Sequence, residues 1–214
     1  MSLELFLHPL SSYCHKVLIA LYENDTPFEV KRIDAPAVAC EYEKFSPLKR
    51  FPILRDLGRD RVIPESTIII EYLDTHFPGR IRFIPKDPDL AWQVRLRDRF
   101  FDNYVHTPMQ KFAAERLRPE GKKDAYGLDE ARALFVKALG LVDAEMAGKV
   151  WAIGETFTMA DCSAAPALFY GNRFFGPFRD THPKALAYLD RLMERPSYAR
   201  ALEEAKPFMH LLPK

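Results

Sequence analysis

Cysteine is scarce. Cys14, Cys40 and Cys162 are the only three in 214 residues. An odd and widely spaced set supports no disulfide framework, and neither these thiols nor the six scattered histidines have zinc-ligand spacing. An excess of one charge is missing too. Lys and Arg number 31 against 30 Asp and Glu, a net charge of +1, which gives no field to gather nucleic acid or an anionic membrane. The basic run Arg95-Leu96-Arg97 leads straight into Asp98, as on a solvated helix face. No apolar run approaches the roughly 20 residues of a membrane helix. Met1 to Leu5 lacks the basic-then-apolar order of a signal peptide. There is no internal repeat and no low-complexity tract. What is there is an ordinary globular composition, 48% hydrophobic and 29% charged, enough for one large domain or two small ones. The expected setting is the reducing cytoplasm, with no metal, nucleic acid or membrane partner.

Strand and helix patterns alternate at first. Leu3-Glu4-Leu5-Phe6-Leu7-His8 reads as a strand broken by Pro9, and a helix to about Asn24 carries Cys14, Val17, Leu18 and Leu21 on one stripe. Phe28 to Ile33 alternates as a strand, and 37–45 has room for a short helix. Pro52 to Asp56 and Arg61 to Ile63 flank Leu57-Gly58-Arg59-Asp60, a hairpin signal, and Ser66 to Thr75 reads as a helix. The order βαβαββα demands a parallel pair with a right-handed crossover and an antiparallel addition. Proline and glycine cluster over 78–88, the expected linker. Beyond it the pattern is helical: one long segment from Leu90 to about Phe112, another from Asp129 to Met146, and Ala185 to about Glu194. A short helix and a loose tail follow Arg195-Pro196-Ser197. Thr158-Met159-Ala160-Asp161 has the form of a capping box, with Phe157 and Cys162 placed as its staple, and Pro166 predicts a kink or early break. The expected fold is therefore an α/β domain over 1–77 and an all-helical domain over 89–214.

Several segments together resemble the cytosolic glutathione transferases over essentially the whole chain. They are Ser11-x-x-Cys14 with Val17 to Leu21, Ser46-Pro47 with Phe51-Pro52-Ile53-Leu54, Glu65-Ser66 with Ile69-x-x-Tyr72-Leu73, and Phe157 to Asp161. The resemblance implies a thioredoxin-like domain followed by a helical one, glutathione as co-substrate without metal, a homodimer, and a role in detoxification. The first strand, Leu5-Phe6-Leu7, lacks the tyrosine of the alpha, mu and pi types. Ser11 occupies the position of the omega-type cysteine, so the chain is similar to the serine types (theta, zeta and phi) and to bacterial forms. The zeta pattern Ser-Ser-Cys is met only in part, because Tyr13 stands at its cysteine.

On this resemblance Ser11 is the catalytic residue, with Ser12 and Cys14 in reserve. A free thiol has a pKa of about 8.5, so roughly 3% is thiolate at pH 7, and lowering it by about two units needs about 2.7 kcal/mol. A hydroxyl donating to the anion supplies about 1.5–3 kcal/mol, and a helix N-terminus about 0.3–1 more. From position alone Ser11 or Ser12 is equally well read as a helix cap. Cys14 lies on the apolar stripe, where a buried thiol is the simpler reading; exposed at a helix N-terminus it would be reactive. The resemblance implies a cis bond before Pro52, with the backbone of Phe51 or Ile53 pairing with the cysteinyl unit. It implies that Glu65 holds the γ-glutamyl ammonium, Ser66 its carboxylate, and Lys49 or Arg50 the glycyl carboxylate; a plain cap and surface charges are the alternatives. Tyr104, His106, Met109, Phe112, Arg116, Phe174 and Phe175 are candidates for an apolar electrophile pocket between the domains, or simply for bundle core. Thr158 and Asp161 belong to folding, and Asp161→Ala is expected to cost about 0.5–2 kcal/mol and to leave glutathione chemistry intact if the protein folds. The expected function is conjugation of glutathione to an apolar electrophile. A zeta-like isomerase, a Cys14 thiol-disulfide enzyme and a non-catalytic glutathione- or partner-binding protein are the alternatives.

Overall fold

The computed structural model describes residues 2–213. The chain forms two compact units, Met1–Pro85 with Pro196–His210, and Lys86–Arg195 with Leu211–Lys214. The first unit is built on four strands, β1 (Leu3–Leu7), β2 (Glu29–Arg32), β3 (Ile53–Asp56) and β4 (Arg61–Pro64), in the order β2-β1-β3-β4. β1 runs parallel to β2 and antiparallel to β3, and β3 is antiparallel to β4. Every residue of β1 is buried, as a central strand covered on both faces requires. Its period of two sends Phe6 to one face, where it packs with Ile53 and with Tyr42 of α2 (Pro36–Phe45). Glu4 shares that face and is compensated by Lys31 at 3.3 Å and Arg55 at 3.4 Å.

Helix α1 (Ser12–Glu23) follows β1 and packs against α3 (Ser66–His76) and α9 (Pro196–Ala205). The segment 78–85, expected as linker, docks on this unit instead. Asn24 exchanges two hydrogen bonds with Ile81, at 2.8 and 3.0 Å, and the amide of buried Phe83 donates to Asp74 at 2.9 Å. The expected helical domain likewise gives up α9. Tyr22 donates to Glu204 at 2.6 Å, Ser197 donates to Glu23, and the His15 and Tyr198 rings meet edge on at 6.0 Å. The expected loose tail is a 3-10 turn, Lys206–Leu211, with Arg32 over the Phe208 ring at 4.6 Å.

The second unit contains α4 (Pro88–Phe100), α5 (Thr107–Arg116), α6 (Ala125–Glu145), α7 (Met159–Phe175) and α8 (Pro183–Glu194). Periodicity predicts one uninterrupted helix from Leu90 to Phe112. A π segment, Phe101–His106, lies inside it. The cause is Pro108, which has no amide for the usual bond to Tyr104, while Thr107 donates from its backbone to Asp102, five residues back, and from its hydroxyl at 3.0 Å. Pro166 does not break α7, which continues to Phe175.

The capping box at Thr158 forms, and its acid does more than cap. Asp161 is fully buried. One carboxylate oxygen accepts from the Ala152 amide at 2.8 Å and from the Tyr188 hydroxyl at 2.6 Å. The other accepts from the amide and hydroxyl of Thr158, at 2.8 and 3.1 Å. Burial pushes this carboxyl up, and the four donors pull it back toward the ionised form. No helix among the described residues is long and apolar enough to cross a membrane.

Candidate functional site

The strand register brings three segments to one end of the sheet. Phe6 of β1 faces Ile53 of β3, and Ile53 faces Pro64 of β4. The chain leaves β1 toward Ser11, enters β3 through Phe51-Pro52, and leaves β4 into Glu65-Ser66. Segments far apart in sequence are thus neighbours because three strands end at the same level.

Ser11 is the N-cap of α1, in extended conformation, and its hydroxyl oxygen accepts from the Cys14 amide at 3.3 Å. The cap uses one lone pair and leaves the hydroxyl hydrogen to donate elsewhere. Ser11 is half-buried, whereas Ser12 is buried in the first turn. Cys14 is 0% exposed, and burial pushes its thiol up to about 12. Such a thiol carries almost no thiolate at neutral pH, so the environment of Cys14 is that of a structural residue.

Two histidines shape the turn before Ser11, and neither is marked as functional by spacing alone. His8 closes β1; its Nδ1 accepts the Leu10 amide at 3.2 Å, its carbonyl accepts the Ser11 amide at 3.0 Å, and its ring lies 6.4 Å from that of Phe51. Burial lowers its pKa. The only sequence signal for it is its place between the first strand and Pro9. His15 is fully buried with Nε2 at 2.7 Å from the Pro9 carbonyl, and burial lowers its pKa to about 4. It is therefore neutral at pH 7 and fastens the loop to the helix.

The Phe51–Pro52 peptide is cis. The loop before it is pinned by Ser46, whose hydroxyl donates to the Arg50 carbonyl at 2.8 Å and accepts the Arg50 amide at 2.9 Å. This turn holds Lys49 at φ +52° and leaves the Lys49 and Arg50 side chains exposed. Lys49 is 2.8 Å from Glu43, whose carboxylate raises its pKa.

The α3 N-terminus departs from the expected cap. Glu65, not Ser66, is the N-cap, and its side chain makes no capping bond. Ser66 is the buried first residue of the helix. Glu65 sits at φ +67°, ψ 116°, a conformation that costs a residue with a Cβ of order 1–3 kcal/mol. Strain of this kind persists where the surroundings hold the residue in place. Beside it, Lys16 is only 1% exposed and donates to the Thr67 hydroxyl at 2.8 Å, tying α1 to the first turn of α3. Glu65→Gly is expected to stabilise the fold by about 1 kcal/mol through relief of strain. Chemical denaturation checks this, and a loss of stability would show that Glu65 is not strained.

In the helical unit Met109, Phe112 and Phe174 belong to one buried cluster with Ala131 and Tyr170. Phe112, Arg116 and Phe174 also line a cavity of about 380 Å³ with Glu115, Lys123, Ala125, Leu128 and Arg132. Tyr104 and His106 do not line it: Tyr104 is 48% exposed with its ring tilted against that of Phe100 at 5.6 Å, and His106 is buried in the π segment. Phe175 packs beside the cluster and stacks on Phe135 at 3.8 Å.

Comparison with known proteins gives a consistent result. Residues 5–80 match the family described as Glutathione S-transferase, N-terminal domain, and residues 103–196 match Glutathione S-transferase, C-terminal domain. A Stringent starvation protein A homolog from Haemophilus ducreyi is 28% identical, covering 98% of this chain and 94% of that protein. Glutathione S-transferase U28 from Arabidopsis thaliana is also 28% identical, covering 92% of this chain and 86% of that one. The crystal structure of a glutathione S-transferase from Methylobacterium radiotolerans in complex with glutathione sulfonate is similar at a TM-score of 0.80 and 27% identity, covering 93% of each chain. With both family domains matched in order on a thioredoxin-like sheet followed by a helical unit, the chain belongs to the cytosolic glutathione S-transferase superfamily.

Proposed function

We propose that the chain is a catalytic glutathione transferase in which Ser11 holds the bound thiol as its thiolate for attack on an apolar electrophile. The observation that carries this reading is Ser11 at the N-cap of α1, its lone pair engaged by the helix and its hydroxyl hydrogen left to donate, at the sheet end shared with Phe51-Pro52 and Glu65-Ser66. The sulfur loses its proton to solvent. The Ser11 hydroxyl donates to the anion, and the α1 N-terminus adds its positive end. The backbone of Phe51 or Ile53 pairs with the cysteinyl unit, Glu65 takes the γ-glutamyl ammonium, and Ser66 with the first α3 amides takes its carboxylate. Exposed Lys49 and Arg50 stand for the glycyl carboxylate. The thiolate then forms a carbon–sulfur bond to the electrophile as the leaving group departs with its electron pair.

A homodimer in the cytoplasm is part of this reading. Its support is the apolar surface left exposed on each unit, Val62 and Ile68 on the first and Trp92 and Leu96 on the second.

The ultraviolet thiolate difference spectrum of bound glutathione, titrated against pH, tests the proposal. The bound thiol is expected to ionise about two units below the free value of about 8.5. Binding with an unshifted thiol would overturn catalysis and leave a second reading, a glutathione- or partner-binding protein on the same scaffold. That reading draws its support from the relatives that carry the name Stringent starvation protein A homolog.

A further inference from the structure

The cavity of the helical unit carries a charge pattern that an apolar substrate does not need. Its body is apolar, formed by Phe112, Phe174, Leu128 and Ala125. Three cations stand around it, Arg116, Lys123 and Arg132. The Arg132 guanidinium lies 4.9 Å over the Phe112 ring, and that of Arg116 lies 5.0 Å over Phe174. Rings that support guanidinium planes fix their direction while leaving the donor edges open.

None of the three has a carboxylate partner within ion-pair distance among the described residues. Among the described residues Arg116 donates to two neutral carbonyls, those of Pro213 at 3.2 Å and Phe174 at 3.4 Å. Lys123 donates to the Glu115 carbonyl at 3.0 Å. The one acid in the lining, Glu115, is already engaged by the Asp124 amide at 2.6 Å and by Arg118 at 3.0 Å. Three cations against one acid leave the lining with an excess of positive charge beside the Phe112 and Phe174 rings.

We propose that this cavity binds a small aromatic carboxylate, its ring against Phe112 and Phe174 and its carboxylate held by Arg116, Arg132 and Lys123. Planar guanidinium donors match a carboxylate through paired hydrogen bonds, which a neutral group of the same shape does not return. The preferred acceptors of the transferase are then acidic aromatic electrophiles. That consequence rests on the function proposed above, but binding of an unreactive acid does not.

The test is calorimetric titration of the full chain, without glutathione, with 2-naphthoate and with its neutral counterpart 2-naphthamide. Naphthoate is expected to bind at least about tenfold more tightly and to weaken with added salt, whereas naphthamide is insensitive to it. R132Q and R116Q are each expected to weaken naphthoate about tenfold and to leave naphthamide unchanged. Both side chains are exposed, and a thermal melt of each variant separates loss of contact from loss of fold. K123Q, which removes a cation resting on no ring, gives the same selective loss if charge is the cause. Equal affinity for the two probes, no binding of naphthoate, or unchanged naphthoate affinity in R132Q would each overturn the proposal. Naphthoate binding in a protein whose bound glutathione is not ionised would uphold the cavity and remove the catalytic reading. An ionised thiol without naphthoate binding would do the reverse.

Discussion

Alanine at Asp161 is expected to destabilise the protein by about 3–5 kcal/mol. The substitution strands four donors at once: the amides of Ala152 and Thr158 and the hydroxyls of Thr158 and Tyr188. Each buried donor left without an acceptor costs about 1–3 kcal/mol, and the Thr158 and Tyr188 hydroxyls are partly able to turn away. Asp161→Asn is nearly as harmful, because both carboxylate oxygens accept and an amide must present hydrogens to one pair of donors. Tyr188→Phe removes one donor and leaves three, so it is expected to cost only about 1–2 kcal/mol. Denaturant midpoints of the three variants check the order. If D161A loses no more than a helix cap is worth, about 0.5–2 kcal/mol, the four bonds do not act together.

Ser11→Ala is expected to reduce turnover at pH 7 about 20-fold, the drop in thiolate fraction when the bound thiol returns from about 6.5 to about 8.5. Glutathione affinity at pH 7 should fall only about fourfold, the part of binding linked to ionisation of the thiol, since Glu65, Ser66 and the backbone of Phe51 or Ile53 hold the rest of the peptide. The deficit has a pH signature: it narrows as pH rises through about 8.5, where solvent ionises the thiol unaided. Ser11 also caps α1, so S11A loses about 0.5–2 kcal/mol of stability in addition. A purely structural role predicts that stability loss with a turnover deficit that does not vary with pH. Steady-state rates across pH, beside the thiolate spectrum, separate the two.

The segments that converge on the site were legible because each is local. Ser11 precedes an amphipathic run, Pro52 opens a strand, and Glu65-Ser66 precedes another helix. The apolar run broken by Pro9, the alternation from Phe28 to Ile33 and the turn at Leu57 to Asp60 sufficed for the sheet. The features that escaped depend on partners distant in sequence or on backbone angles. Nothing in Pro64-Glu65-Ser66 announces a left-handed φ at Glu65, and Ser66 looks as good a cap as its neighbour. Pro108 follows the threonine that ends the π segment, and apolar periodicity is blind to one widened turn. Asp161 scores as a cap from its four-residue box, but Ala152 and Tyr188 enter only once the loop and α8 fold over it. Of the cations of the helical cavity only Arg116 stood out, on the long segment with Phe112; Lys123 and Arg132 come from other stretches of chain, and each alone reads as a solvated surface charge.

The docking of α9 on α1 ties an earlier stage of synthesis to a later one. Tyr22, Glu23 and His15 leave the ribosome early, whereas Glu204, Ser197 and Tyr198 emerge only after the whole helical unit has been made. At about 5–20 residues per second, the sheet unit waits some 10–35 seconds with one side of α1 uncovered. Helices α4 to α8 have no such debt, since they follow one another along the chain. Vectorial folding of this protein is thus interleaved: the sheet unit is begun before those five helices and gains α9 only after them, and Tyr22 and His15 remain open to chaperones throughout that interval.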